Sequence, residues 1–247
     1  MSGHSKWAGI KHKKAIVDAK RGKLFTRLIK EITVAAKQGG GDPGANPRLR
    51  AAIQNARDAN MPATNIERAI KKGTGELPGV HYEEMTIEGY GPSGVAIMAE
   101  ILTDNRNRTL SEIRHLFTKY DGNIGENGCV AWLFHKKGVL TFSAKDYSED
   151  DLMELSIEAG AEDFKNDGDT FVVTSSPKDF AKLKEMLIAN GITPTVAEVT
   201  MIPKNTIKVD GKDAKQTLRI VEALEEHDDV QHTYSNFDIP DELLEEE

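Results

Sequence analysis

Glu88-Gly89-Tyr90-Gly91-Pro92-Ser93-Gly94-Val95-Ala96-Ile97-Met98-Ala99-Glu100-Ile101 is the stretch on which the fold turns. Residues 89–94 match G-x-G-x-x-G letter for letter, and a dinucleotide site there would make the chain a doubly wound α/β protein. Such a site needs a helix directly behind the glycines, whose N-terminus holds the pyrophosphate. Here an apolar, strand-like run stands in that place, and Pro92 removes a backbone donor from the turn. The segment therefore reads as a hairpin turn between strands over 82–88 and 95–103. No cofactor is expected.

Downstream, residues 109–120 read as a helix and 129–134 as a further strand. The next elements are a strand at 139–142, a helix at 148–159 and strands near 162–164 and 170–174. A helix led by Pro177 then runs to 190, and 195–202 is a strand. That order is β-α-β-β-α-β, a ferredoxin-like pattern. The chain ends with a short strand at 206–209, a helix at 214–226 and a strand at 230–237, which could complete the sheet interrupted near Phe134. The fold class expected is α+β with three domains: an N-terminal helical bundle plus two α/β domains, one of them ferredoxin-like and inserted in the other. The boundaries read as 1–77 for the helical domain, 78–135 plus 204–240 for the middle domain and 136–203 for the insertion. An acidic tail closes the chain at 241–247.

Upstream, residues 2–21 are rich in Lys and His and poor in apolar residues, which suits a mobile arm or a frayed helix. Residues 22–38 form an amphipathic helix, with Leu24, Phe25, Leu28, Ile29, Ile32, Ala35 and Ala36 on one side at about 100° per residue. Lys23, Arg27, Lys30 and Lys37 lie opposite and are expected to face outward. Asn46-Pro47 starts a second helix, with Asn as cap and Pro in the first position. A capping box, Thr64-Asn65-Ile66-Glu67, starts a third, with Gly73 as its stop.

Charge separates these parts. Residues 1–73 carry 16 Lys+Arg against 5 Asp+Glu, and residues 74–247 carry 16 against 35. The net charge of −8 hides that split, and a polyanion would feel the basic segment as a local attractive field. Lys6, Lys11, Lys13, Lys14, Lys20, Arg21, Lys23, Arg27 and Lys30 are the expected phosphate contacts, with Arg48 and Arg50 secondary. Residues 136–203 hold 7 Lys+Arg against 13 Asp+Glu and lack the aromatic signature of an RNA-recognition strand at Thr170-Phe171-Val172-Val173-Thr174. That domain reads as a protein-facing module, suited to a basic protein partner.

Other chemistry is thinly represented. The seven histidines show no zinc-site spacing, and the lone Cys129 has no CxxC partner. Cys129 reads as a buried structural thiol. Thr103-Asp104-Asn105-Arg106-Asn107-Arg108-Thr109 joins a strand to a helix and reads either as a capped turn or as a phosphate contact. No nucleophile elbow, P-loop or H-E-x-x-H occurs, so an enzyme is not expected. One cysteine and no signal-like start suit the cytoplasm, and no run approaches the roughly 20 apolar residues of a membrane span.

Seven stretches carry a family resemblance. They are Gly3-His4-Ser5-Lys6-Trp7, Gly39-Gly40-Gly41-Asp42-Pro43, Asn46-Pro47-Arg48-Leu49-Arg50, Asn60-Met61-Pro62, Glu88-Gly89-Tyr90-Gly91-Pro92, the 103–109 segment and Tyr234-Ser235-Asn236-Phe237. Together they resemble the YebC/PmpR family of bacterial proteins over nearly the whole chain. Asp121-Gly122 stands where that family often has Gly-Gly, and Cys129 where serine is common. The resemblance implies a helical N-terminal domain and two α/β domains around a concave surface. It also implies a DNA-binding transcriptional regulator, while relatives that include a mitochondrial branch are described as translation activators at the ribosome. Three functions are thus in play: a DNA-binding regulator, a ribosome-associated translation factor binding ribosomal or transfer RNA through the same basic domain, and a protein scaffold.

Overall fold

A computed structural model describes the backbone over residues 18–240 and the side chains over residues 22–240. The arm expected upstream of Asp18 and the acidic tail at 241–247 lie outside the described residues.

Three helices open the structure: α1 (Asp18–Gly39), α2 (Pro47–Asp58) and α3 (Ala63–Thr74). Their apolar faces close on one core that includes Ile32, Ala36, Leu49, Ile53, Ile66 and Ala69. The Asn46 side-chain oxygen accepts the Leu49 N–H at 3.1 Å, as an N-cap should. Its amide donates to the Ala35 and Gly40 carbonyls, which ties the glycine loop back to α1. Helix α3 departs from its expected start and stop. It begins directly after Pro62 with no side-chain cap bond, so Thr64 is already inside the first turn and the capping box does not form. The left-handed stop is Gly75, at φ 84°, and not Gly73. Gly73 serves packing instead: a Cβ there would lie 2.4 Å from the Thr33 carbonyl oxygen, so only hydrogen lets α3 lie this close to α1.

Strand β1 (Glu83–Tyr90) pairs antiparallel with β2 (Ala96–Thr103), with Tyr90 opposite Ala96. The glycine-rich segment between them is a tight turn closed by Gly91 N–H donating to the Val95 carbonyl at 2.8 Å, and it leads into a strand. The chain continues through α4 (Arg106–Lys119) and β3 (Asn123–Ile124). After the insertion come β8 (Ile207–Lys208), α7 (Gly211–Glu226), β9 (Val230–Ser235) and β10 (Phe237–Asp238). Sheet order is β3-β1-β2-β9, so the last long strand does complete the interrupted sheet, and β8 pairs with β10 beside it. Helices α4 and α7 pack side by side on one face, burying Ile113, Phe117, Leu218 and Val221 against Ile97 and Ile101.

The strand expected over 129–134 is absent. Residues 129–133 are turns ending in a 3-10 turn, Ala131–Leu133, and the strand begins only at Phe134. The cause is Glu88, whose carboxylate accepts the N–H groups of Gly128, Val130 and Ala131 at 2.7–2.8 Å. Those donors have no need of a strand partner. Burial opposes the Glu88 charge, yet the three N–H groups prevail and hold its carboxyl below the usual range. Cys129 is half-buried in this turn, not enclosed in a strand, and burial pushes its thiol up.

Residues 132–206 form their own compact unit, and residues 18–131 with 207–240 form the other. The inserted unit contains β4 (Phe134–Ser143), α5 (Glu149–Glu158), β5 (Asp163–Asn166), β6 (Thr170–Ser175), α6 (Phe180–Ala189) and β7 (Val196–Pro203). Its order, β5-β6-β4-β7, is antiparallel throughout and ferredoxin-like. Both helices cover one face, where Leu140, Phe142, Val173, Leu152 and Leu183 meet. Helix α6 starts at Phe180, three residues later than Pro177 suggests.

Candidate nucleic-acid interface

Lys23, Arg27 and Lys30 fall at i, i+4 and i+7 on α1, so their heads line one row. The row turns away from the three-helix core, as its pattern requires, but it runs from the exposed Lys23 through the half-buried Arg27 to the buried Lys30 along the middle sheet domain. Lys23 Nζ donates to the Glu226 carbonyl at 3.0 Å. The Arg27 guanidinium donates to the Glu225 and His227 carbonyls. Lys30 Nζ donates to the Asp228 carbonyl at 2.9 Å and pairs with Asp229 Oδ1 at 2.6 Å. The last carbonyls of a helix have no partners within it, and its C-terminal end carries partial negative charge. Lys23 and Arg27 of α1 thus cap α7, and Lys30 binds just past its end, so the three clasp the helical bundle to the middle domain.

Asp229 is the centre of this clasp. Only 4% exposed, it faces Lys30 on one oxygen; the other accepts from Arg108 Nη2 at 2.6 Å, Thr109 Oγ1 at 2.7 Å and Thr103 Oγ1 at 3.1 Å. Burial alone would favour the neutral acid, but the bonds from Lys30, Thr109 and Arg108 outweigh it and hold the carboxyl well below the usual range. Arg108 is raised in turn by its bonds to Asp229 and Asp104. The 103–109 segment is therefore a capped turn, in which Asn105 Oδ1 accepts the Arg108 N–H and the threonines and Arg108 serve the buried acid. His227 Nδ1 accepts the Asp229 N–H, and its Nε2 lies 3.0 Å from Glu112 Oε2. A groove of about 750 Å³ runs beside the clasp, with Lys23, Thr26, Tyr82, Glu112 and His115 among its walls.

The other expected contacts have varied surroundings. Lys6, Lys11, Lys13 and Lys14 lie outside the described residues, and Lys20 and Arg21 occupy the first turn of α1 with side chains outside the description. Arg48 pairs with Glu31 at 2.7 Å and with Glu84 at 2.5 Å, and its bond to Glu31 above all raises its pKa. Arg50 is exposed and donates to the Pro43 carbonyl at 2.8 Å. Lys30, 6% exposed, is the clear correction: a phosphate cannot reach it while the clasp is closed. Lys37, Arg57, Arg68, Lys71 and Lys72 are exposed, and none has a carboxylate partner among the described residues. Their positions opposite the apolar faces of α1, α2 and α3 were a signal available in the sequence. Asp229 carried no such signal, since its partner Lys30 lies 199 residues away.

Among the described residues no group of three His, Cys, Asp or Glu is placed to hold a metal ion, and no helix is long and apolar enough to cross a membrane. The fold and clasp define a three-domain α+β protein whose basic helical head is fastened to a split middle domain. Residues 5–76 match the family model for the TACO1/YebC protein N-terminal domain, and residues 82–237 match that for the TACO1/YebC second and third domain. A protein of Natranaerobius thermophilus named as a probable transcriptional regulatory protein is 59% identical over 248 residues, covering 99% of each chain. One of the same name from Dictyoglomus turgidum is 60% identical, covering 99% of this chain and 98% of its own. The crystal structure of a conserved hypothetical protein from Aquifex aeolicus is similar with TM-score 0.81 and 50% identity, over 94% of this chain and 96% of that one. The chain belongs to the TACO1/YebC family.

Proposed function

We propose that this chain is a nucleic-acid-binding regulator of gene expression that acts on DNA in the cytoplasm, without catalysis. The observation that carries the reading is the concentration of charge, 16 Lys+Arg against 5 Asp+Glu in the first 73 residues. The names of the relatives, which call them probable transcriptional regulatory proteins, agree with it. With Lys30 buried and Arg27 half-buried against α7, the phosphate contacts fall to Lys6, Lys11, Lys13, Lys14, Lys20 and Arg21, with the exposed Lys23 beside them. The exposed Lys37, Arg57, Lys71 and Lys72 extend that field. The acid excess of residues 136–203 suits a basic protein partner.

Binding of a mixed-sequence duplex DNA by the full chain, measured by fluorescence anisotropy across salt, tests this. If about six phosphates are neutralised, affinity falls ~10³-fold between 50 and 200 mM salt. A flat salt response removes the reading. Crosslinking in living cells, followed by sequencing, then separates the targets. Enriched promoter fragments support DNA, and enriched ribosomal or transfer RNA moves the function to translation.

A further inference from the structure

Residues 74–247 carry more than twice as many acids as bases, yet α4 and the first half of α7 in the middle domain present a basic exterior. On α4, Ile113 and Phe117 point into the core, which leaves Arg106, Asn107, Ser111, Arg114, His115, Thr118 and Lys119 exposed. Beside it, α7 buries Leu218 and Val221 and exposes Lys212, Lys215 and Arg219 along its first half. The carboxylates on α4 and the first half of α7 are engaged at the edges, while Glu222, Glu225 and Glu226 lie on the second half of α7, away from this patch. Glu112 faces His227, Asp121 faces Lys212 and Gln216, and Asp213 accepts from Ser93 at 2.6 Å. Arg106, Arg114 and Arg219 have no carboxylate partner among the described residues.

We infer that this α4–α7 face is a second docking surface for the phosphate backbone of duplex DNA, used together with the basic helical head. The inference rests on the nucleic-acid function proposed for the chain and locates a contact that the head alone does not provide. Charge complementarity selects the partner: cations interleaved with the amide of Asn107 and the hydroxyl of Ser111 are groups that hold phosphate oxygens. The duplex form is favoured by the lack of stacking groups on this face. Its phenyl rings point away from solvent, Phe117 buried and Tyr120 half-buried beneath the Lys119 ammonium at 5.0 Å. A single strand would be gripped by stacking its bases on exposed aromatic rings, and among the described residues of this layer no Phe, Tyr or Trp is exposed for that purpose. The two helices run in opposite directions, since the end of α7 meets the start of α4 at Arg108 and Asp229, and Lys212 meets Asp121 beyond the end of α4. Cations from the first half of α7 therefore join those from the last half of α4.

The test uses the full chain and a 30-base-pair duplex DNA of mixed sequence. A triple variant, Arg106→Gln, Arg114→Gln and Lys119→Gln, is compared with a control of equal net charge, Lys165→Gln, Lys178→Gln and Lys182→Gln in the inserted unit. Circular dichroism checks that both keep their fold. The slope of log affinity against log salt is expected to fall by about 2–3 in the first variant, near 0.9 for each phosphate no longer neutralised, and to stay within about 0.5 of wild type in the control. An unchanged slope in the first variant, or an equal fall in both, overturns the surface while leaving the head-based reading intact. A wild-type chain that binds the duplex without salt dependence overturns both. An RNA duplex of the same sequence supplies the second arm. If the slope loss appears with RNA and not with DNA, the assignment to DNA is overturned.

Discussion

Replacing Lys30 with Met tests whether the clasp holds the helical head to the middle domain. Met keeps most of the stem volume and removes only the ammonium, so packing changes little and charge changes completely. Asp229 then remains with Arg108, Thr109 and Thr103 on one oxygen and loses the partner of the other. Breaking a buried pair costs about 3–5 kcal/mol when the remaining charge is left uncompensated. Half of this carboxylate stays paired, so the low end applies, and the expected loss is about 3 kcal/mol. For a unit of this size that is a fall in Tm of roughly 6–12 °C. Urea unfolding at pH 7 followed by circular dichroism gives the stability, and amide exchange over α1 and residues 225–229 shows where it is lost. Adding Asp229→Asn to Lys30→Met removes the stranded charge, so the double variant is expected to lose about 1–3 kcal/mol less than the sum of the singles. A loss below about 0.5 kcal/mol for Lys30→Met, the worth of an exposed pair, or strict additivity in the double variant, would refute the role given to the clasp.

The same geometry sets three further outcomes. The Asp229 carboxyl is held below its unfolded value, so it binds its proton more readily when unfolded. Its contribution is full above about pH 5 and is lost as pH falls through and below the ordinary carboxylate range; acid unfolding of Lys30→Met, measured from pH 6 to pH 2, should therefore show a shallower stability decline than wild type. Gly73→Ala drives a methyl into the Thr33 carbonyl, where overpacking costs about 1–3 kcal/mol despite the better helix propensity of Ala; equal or greater thermal stability would show that α1 and α3 separate freely. Glu88→Gln leaves one acceptor oxygen for three N–H groups, one buried and two part-buried, at a cost of about 1–3 kcal/mol, read as faster amide exchange at Gly128, Val130 and Ala131.

What the sequence revealed was local. The Asn46 cap, the glycine hairpin after β1 and the β-α-β-β-α-β order depend on residues within one or two elements, and each appears in the structure. Some errors were local, as at the start of α3 and the start of α6; the larger ones came where a distant group supplied what the local pattern lacked. An apolar run at 129–134 resembles a strand until Glu88, some 40 residues away, claims its N–H groups. The row Lys23, Arg27 and Lys30 resembles a solvated face until the end of α7 and Asp229 accept its hydrogen bonds. Helical periodicity says which side of α1 is polar; it does not say whether water, phosphate or another helix end meets that side. The candidate interface was legible as charge and not as geometry.

The insertion that runs from β4 to β7 also sets an order of assembly. Strand β9 and Asp229 come from the last segment of the middle domain, after the complete inserted unit. At synthesis rates of about 5–20 residues per second, the 199 residues between Lys30 and Asp229 take roughly 10–40 s to appear. The inserted unit has all six of its elements once Pro203 has emerged, ahead of the strand that completes the middle sheet. Throughout that interval the row on α1 has neither its carboxylate nor its helix end, so the newborn chain carries a fully available basic helix that the finished protein has largely put to internal use.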